Sequence, residues 1–209
     1  MTEFQWKKLA NTVFTDSALT TRFARGHAMC SNTGILHRAT GFAAWKHDGQ
    51  FRKGEGAMPY IYHPIEVTAI LFEVGDITDL DILQSALLHD TIEDTKTTAD
   101  ELELYFNARI RALVLEVTDD TTLLKHERKA MQIEHAPQLS AGAQAIKLAD
   151  KISNVTDVAF AKPIDWPAER QLEYFDWATQ VVAGLRGCNA ALEAAFDKQV
   201  ADSRSAVTG

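Results

Sequence analysis

The run Ile82–Leu83–Gln84–Ser85–Ala86–Leu87–Leu88 passes without a break into His89–Asp90–Thr91–Ile92–Glu93–Asp94. The apolar run demands burial, yet it hands the chain directly to groups that bind a metal or move a proton. An adjacent His–Asp pair left unpaired beside an apolar core is costly. A fold built around this stretch must therefore bring it partners. On a helix, positions four apart stack, which puts His89 with Glu93 and Asp90 with Asp94. Alone, the hexapeptide fits equally well a capped helix end with solvated acids, so residues elsewhere decide between the two readings.

Helical spacing recurs along the chain, and no alternating strand pattern competes with it. Leu36, Ala39, Phe42, Ala43 and Lys46 predict an amphipathic helix ending near Asp48–Gly49, followed by a glycine-bearing basic loop from Gln50 to Pro59. His63 just before Pro64 suits a helix start, and that helix runs to about Val74, stopped by Gly75–Asp76. Asp79 caps the helix that ends in the opening motif. Thr98–Ala99–Asp100–Glu101 reads as a capping box, with further helices through Phe106 and over about Ala108–Val117. After the polar break Thr118–Thr121 comes a basic helical stretch, Leu123–Lys129, and later a loop, Pro137–Gly142. Ser140 caps a helix with the apolar stripe Leu148, Ile152, Val155 and Ala159; Asp150 and Asn154 project together from another of its faces. Asp165 is expected to cap a long helix closed by Gly187, and Leu192, Phe196 and Val200 mark a last one. The expected fold is all-α, a single helical bundle over residues 34–200 with a polar tail at 201–209. Residues 1–33, with weak helical spacing at Phe4, Trp6 and Leu9, form an N-terminal extension whose role is left open.

Composition narrows the function classes. A formal net charge of −8 argues against nucleic-acid binding driven by phosphate neutralisation, although a cation and a few local basic residues can still make a positive pocket for a small polyanion. No stretch approaches the roughly 18 apolar residues of a membrane span, and no signal-peptide core is evident. Cys30 and Cys188 lie far apart with no CxxC spacing, so neither a disulfide framework nor a structural zinc site is expected. The expectation is a cytoplasmic protein without a membrane or nucleic-acid partner.

The partners the opening motif needs are His63 and Asp150. With His89 and Asp90 they make a mixed nitrogen and oxygen set suited to manganese, iron or zinc. Four protein ligands leave two positions of an octahedral shell for water and substrate. Glu93 and Asp94 need not be ligands; one turn on, they can hydrogen-bond the attacking water and take its proton. Singly, His63 passes for an ordinary histidine and Asp150 for a surface acid. Their joint occurrence is what tips the balance.

This H…HD…D pattern resembles the HD-domain superfamily of metal-dependent phosphohydrolases. More narrowly the chain is similar to the hydrolase domain of the Rel/SpoT alarmone enzymes, and most of all to stand-alone small alarmone hydrolases of the metazoan SpoT-homologue type. The matching stretches are Gly49–Lys53, Pro59–Pro64, Ala86–Thr95, Val117–Asp120, Ile146–Lys151 and Glu173–Ala178, covering about residues 36–196. The resemblance implies Mn²⁺ on His63, His89, Asp90 and Asp150, with Glu93 and Asp94 acting on the attacking water. It implies removal of the 3′-pyrophosphate of (p)ppGpp, giving GDP or GTP and pyrophosphate. It further implies substrate contacts from Arg52 and Lys53, from Asn154, and from Lys125, Arg170 and Tyr174. The same chemistry on (p)ppApp or on the 2′-phosphate of NADPH stays open, as does a non-catalytic nucleotide-binding module. The length leaves no room for the synthetase and regulatory domains of the long enzymes, so only hydrolysis is expected. Two departures stand out: Val155–Thr156, where many relatives have a basic residue at the second position, and the small Ser153, where relatives are bulkier. The first bears on a local ion pair and the second on the pocket wall.

Overall fold

The computed structural model describes residues 32–209, apart from 55, 57 and 164. Its α-helices are α1 (Asn32–Lys46), α2 (Tyr62–Glu73), α3 (Leu80–Leu88), α4 (Thr91–Asp94), α5 (Ala99–Tyr105), α6 (Ala108–Val117), α7 (Lys125–His135), α8 (Ala141–Phe160), α9 (Ala168–Ala183) and α10 (Ala190–Thr208). Among the described residues there is no strand, only two isolated bridges, Phe51 with Pro59 and Gly54 with Pro163. The fold is an all-α bundle, as expected. Most of the N-terminal extension set apart at residues 1–33 lies outside the described residues.

Two helices organise the bundle. Every residue of α3 from Leu83 to Leu88 is buried, as suits a mostly apolar helix at the centre of a bundle. Leu83 and Ala86 face a large core shared with α2, α6, α8, α9 and α10, while Leu87 and Leu88 face a smaller one with Phe42, Leu102, Phe106 and Ile110. Its polar residues cost little, because Gln84 Nε2 donates to Leu80 O and Ser85 Oγ to Asp81 O. Helix α8 crosses the centre and packs against α2, α3, α6, α9 and α10. Phe175 and Phe196, both fully buried, fill the space beside it, each stabilising by roughly 1.5–3 kcal/mol. Helix α7 is the exception: none of its residues is fully buried.

Several element boundaries differ from expectation, each for a local reason. The opening motif is not one helix. The His89 Nδ1–H takes the Ala86 carbonyl at 2.8 Å and Thr91 Oγ1 takes that of Leu88 at 2.6 Å, capturing acceptors the helical ladder would use. The chain therefore bends at His89–Asp90 and restarts as the single turn α4. Thr98 Oγ1 caps α5 by accepting the Glu101 N–H, but the capping box is only half formed, because the Glu101 carboxylate pairs with Lys46 Nζ at 2.7 Å. Asp165 does not cap α9. The residue before a proline is pushed away from helical angles, so the helix waits until after Pro167, whose ψ is 163°. Nor does Gly187 close it. Helix α9 ends at Ala183, and Gly184 sits so close to α7's end that a Cβ would lie 2.9 Å from Ala136 and Pro137. The loop expected at Pro137–Gly142 is mostly ordered: Ala136–Gln138 form a 3₁₀ turn, and Gly142 already belongs to α8. The polar residues 201–209 are no separate tail. They continue α10 to Thr208, with Ser203 buried and Arg204 paired with Asp176.

Asp79 caps α3 as expected, accepting from the backbone N–H groups of Asp81 and Ile82. Ser140 likewise caps α8. The basic loop is anchored rather than solvated. A Cβ on Gly54 would lie 2.0 Å from the Ala161 carbonyl oxygen, so only glycine allows the loop to lie against the end of α8. That contact brings Arg52 and Lys53 over the bundle.

Candidate active site

The first turn of α2, the bend after α3 and the middle of α8 converge on one point. His63 Nε2 lies 3.2 Å from Asp150 Oδ1 and 3.6 Å from Asp90 Oδ2; His89 Nε2 lies 3.0 Å from Asp90 Oδ2 and 3.8 Å from Asp150 Oδ1. Ligand atoms of His63, His89 and Asp90 all fall within 4.8 Å of one another. Both imidazole tautomers follow from their other nitrogens. The Ala86 carbonyl can only accept, so His89 Nδ1 carries the proton. Ser153 Oγ gives its hydrogen to Glu66 Oε2 at 2.7 Å and must accept from His63 Nδ1 at 3.0 Å. Each Nε2 thus faces the two carboxylates and is left to take up a cation, a proton or a metal, as in metal-ligating histidines.

Physical fit for a cation can be tested on His89. Its Nε2 is buried and has no hydrogen-bond partner, a state that folded proteins rarely tolerate. Burial works against a charged His89, yet the Asp90 and Asp150 carboxylates outweigh it and push its pKa up to about 10. Burial works to raise the carboxyls too, but His89 holds Asp90, and Lys151 with His63 holds Asp150, below the usual carboxylate range. Two largely buried carboxylates thus demand positive charge at this point. A hard or borderline divalent ion matches both the charge and the donor set.

Each of the two carboxylates is itself held. Tyr60 OH donates to Asp90 Oδ2 at 2.6 Å. Asn154 Nδ2 donates to Asp150 Oδ1 at 2.6 Å, and Lys151 Nζ to its Oδ2 at 3.1 Å. Arg52 closes the network, with Nε on Asp157 Oδ2 and Nη2 on Asn154 Oδ1, both at 2.8 Å. Burial works against the Arg52 charge, but the Asp157 carboxylate beside it raises its pKa above the ordinary value.

Glu93 and Asp94 sit apart from the four. Glu93 Oε2 accepts the backbone N–H of Asp119 at 3.0 Å. Burial pushes its pKa up to about 7, against the Asp119 N–H and with the help of the Asp119 and Asp90 charges. A carboxylate so poised suits general acid–base work near neutrality. Burial, then Asp90, also raises Asp94.

Above these groups opens a cleft of about 710 Å³, lined by Arg52, Lys53, Glu93, Asp94, Lys125, Asn154, Arg170 and Tyr174 among others. That volume lies within the range of about 300–1,000 Å³ typical of small-molecule sites. The wall is basic and aromatic: Arg170 stacks 4.3 Å from the Trp166 ring, and Lys129 lies 4.6 Å from Trp177. Burial, followed by repulsion from Arg170, Lys53 and Arg128, lowers the Lys125 pKa. Such a cluster of cations, on a chain of net charge −8, is built for a polyanion.

The HD domain family model matches residues 39–174. The chain belongs to the HD-domain family, among its SpoT-like members. It is 53% identical over 168 residues to the guanosine-3′,5′-bis(diphosphate) 3′-pyrophosphohydrolase MESH1 of Homo sapiens, covering 80% of this chain and 94% of that one. With the MESH1 of Xenopus tropicalis it shares 49% identity over 179 residues, covering 86% of this chain and all of the relative. A solved metazoan orthologue of SpoT, described as hydrolysing ppGpp, superposes with a TM-score of 0.78 at 43% identity, covering 80% of this chain and 94% of that one.

In this HD domain the fold brings His63, His89, Asp90 and Asp150 to one floor, and Arg52, Lys53, Glu93, Asp94, Lys125, Asn154, Arg170 and Tyr174 to one cleft. Sequence reasoning missed Tyr60 and Asp157, which hold Asp90 and Arg52, and the Asp119 N–H that holds Glu93. The Pro59–Pro64 and Val117–Asp120 motifs were the available signals. It also missed the cleft residues Arg128, Lys129, Trp166 and Trp177. Ser153 was expected on the pocket wall; it lies beneath the site instead, fully buried against His63. No helix among the described residues is long and apolar enough to cross a membrane.

Proposed function

We propose that this protein is a manganese-dependent 3′-pyrophosphohydrolase of guanosine alarmones, converting (p)ppGpp to GDP or GTP and pyrophosphate. The observation that carries the reading is the pair of buried Nε2 atoms on His63 and His89, turned toward Asp90 and Asp150 beneath a cleft of basic and aromatic side chains. The close likeness to MESH1 proteins over most of both chains supports the same substrate class.

In this mechanism His63, His89, Asp90 and Asp150 hold the ion. Mn²⁺ there supplies Lewis acidity toward water and the phosphoryl group. Glu93, fixed by the Asp119 N–H, removes a proton from the attacking water. The water oxygen bonds the phosphorus next to the ribose, the bond from that phosphorus to the 3′ oxygen breaks, and the ribose oxygen regains a proton. Asp94 backs the same water. Lys53, Lys125 and Arg170 take the phosphate charge that builds during transfer, while Tyr174, Trp166 and the Arg52–Asn154 pair position the nucleoside. We infer a single catalytic domain from α1 through the whole of α10 and, from the cysteine usage, a cytoplasmic protein.

The test is pyrophosphate release by purified, manganese-loaded protein from ppGpp, with ppApp and NADPH in parallel. Turnover of ppGpp that vanishes in EDTA and returns with Mn²⁺ is expected. Absence of release from every substrate would overturn the assignment.

A further inference from the structure

Ser153 lies beneath the four converging residues, and the structure gives its hydroxyl a partner on each side. Ser153 Oγ is fully buried, 3.0 Å from His63 Nδ1 and 2.7 Å from Glu66 Oε2. Glu66 stands on α2, three residues after His63, on the solvent-exposed side and outside the cleft lining. A carboxylate in this position only accepts, so the hydroxyl's single proton goes to Glu66 and its lone pair takes the His63 Nδ1–H. The other ligand imidazole, His89, is oriented by a neutral backbone carbonyl. The two histidines of the site are therefore held by different means, one by a fixed dipole and one by a chain that ends in a charge at the surface.

We propose that Ser153 and Glu66 are positioning residues of the metal centre: together they lock His63 in the tautomer that presents Nε2 and strengthen it as a donor. A carboxylate reached through one hydroxyl polarises the Nδ1–H bond and raises electron density at Nε2. This is the role a directly bonded carboxylate plays beside other metal-ligating histidines. Neither residue belongs to the cleft. The inference rests on the proposed metal centre, but its first readout does not need a metal.

That readout is the His63 tautomer in ¹⁵N-histidine-labelled, metal-free protein, read from long-range ¹H–¹⁵N couplings. Wild type is expected to keep a proton on His63 Nδ1, whether or not Nε2 carries one as well. Ser153→Ala should shift His63 toward the Nε2–H form or a mixture, and Ser153→Thr should restore it. The second readout is Mn²⁺ affinity by competition with a fluorescent chelator. Ser153→Ala is expected to lose about tenfold or more, within the range of 10–100-fold seen when such outer partners are removed. Glu66→Gln, on the exposed end and safe for folding, should lose less. The double variant should bind no worse than Ser153→Ala, because the two act as one chain. Wild-type tautomer and affinity in Ser153→Ala would overturn the proposal, and an unaltered Glu66→Gln would remove Glu66 from it. Failure of wild type to bind Mn²⁺ at all would instead count against the metal centre, and the tautomer result would still stand.

Discussion

Replacing Glu93 by Gln separates proton transfer from every other task at the site. The amide keeps the size of the carboxylate, and its oxygen can still take the Asp119 N–H now held at 3.0 Å. That leaves an NH₂ group, a donor, where the free carboxylate oxygen would accept the proton of water. A positioned general base contributes about 10²–10⁴ in rate, which is about 3–5 kcal/mol of barrier. The expected result is a fall of that size in kcat, with KM for ppGpp nearly unchanged. Mn²⁺ affinity should stay within a few-fold of wild type, because the proposed ligands are His63, His89, Asp90 and Asp150. Steady-state pyrophosphate release and a parallel metal titration give both numbers. A loss below tenfold would refute the role of Glu93 as base. Loss of manganese together with activity would show that Glu93 is a ligand.

Burial places the Glu93 pKa at about 7, and a base works only after losing its proton, so kcat/KM should fall as pH drops through this range; the limb should be missing in Glu93→Gln. Arg52→Lys keeps the charge but loses the fork that spans Asp157 and Asn154. Hydrogen bonds to charged groups are worth about 1.5–3 kcal/mol, so kcat/KM should drop roughly 10–100-fold while metal affinity holds. Asp79→Ala removes the α3 cap and should cost about 1 kcal/mol in urea unfolding, with activity of the folded fraction unchanged.

The parts of the site legible in the sequence are those carried by side chains at helical spacing. Asp150 and Asn154, four apart, do project together from α8, and the mostly apolar run Leu83–Leu88 of α3 is buried. What escaped has a different physical basis. The support for Glu93 comes from a backbone N–H at Asp119, a group every residue but proline owns, so no residue type announces it. Tyr60 and Asp157 reach across 30 and 105 positions of sequence, and periodicity within one element cannot see such pairs. The break at His89–Asp90 depends on two side chains taking two carbonyls from the ladder, a choice of rotamers rather than of composition. Pro167, by contrast, was readable. The bias of proline against a helical predecessor outweighs the capping preference that pointed to Asp165.

Helix α7 supplies Lys125, Arg128 and Lys129 to the cleft yet has no fully buried residue, whereas the floor grows from α3 and α8 in the two cores. Local opening free energies follow buried contact. Amides of α3 and α8 should therefore exchange with solvent only when the whole domain unfolds, while those of α7 exchange through small fluctuations of the wall alone. The wall that would grip a nucleotide should then loosen and tighten many times while the floor beneath it keeps one geometry.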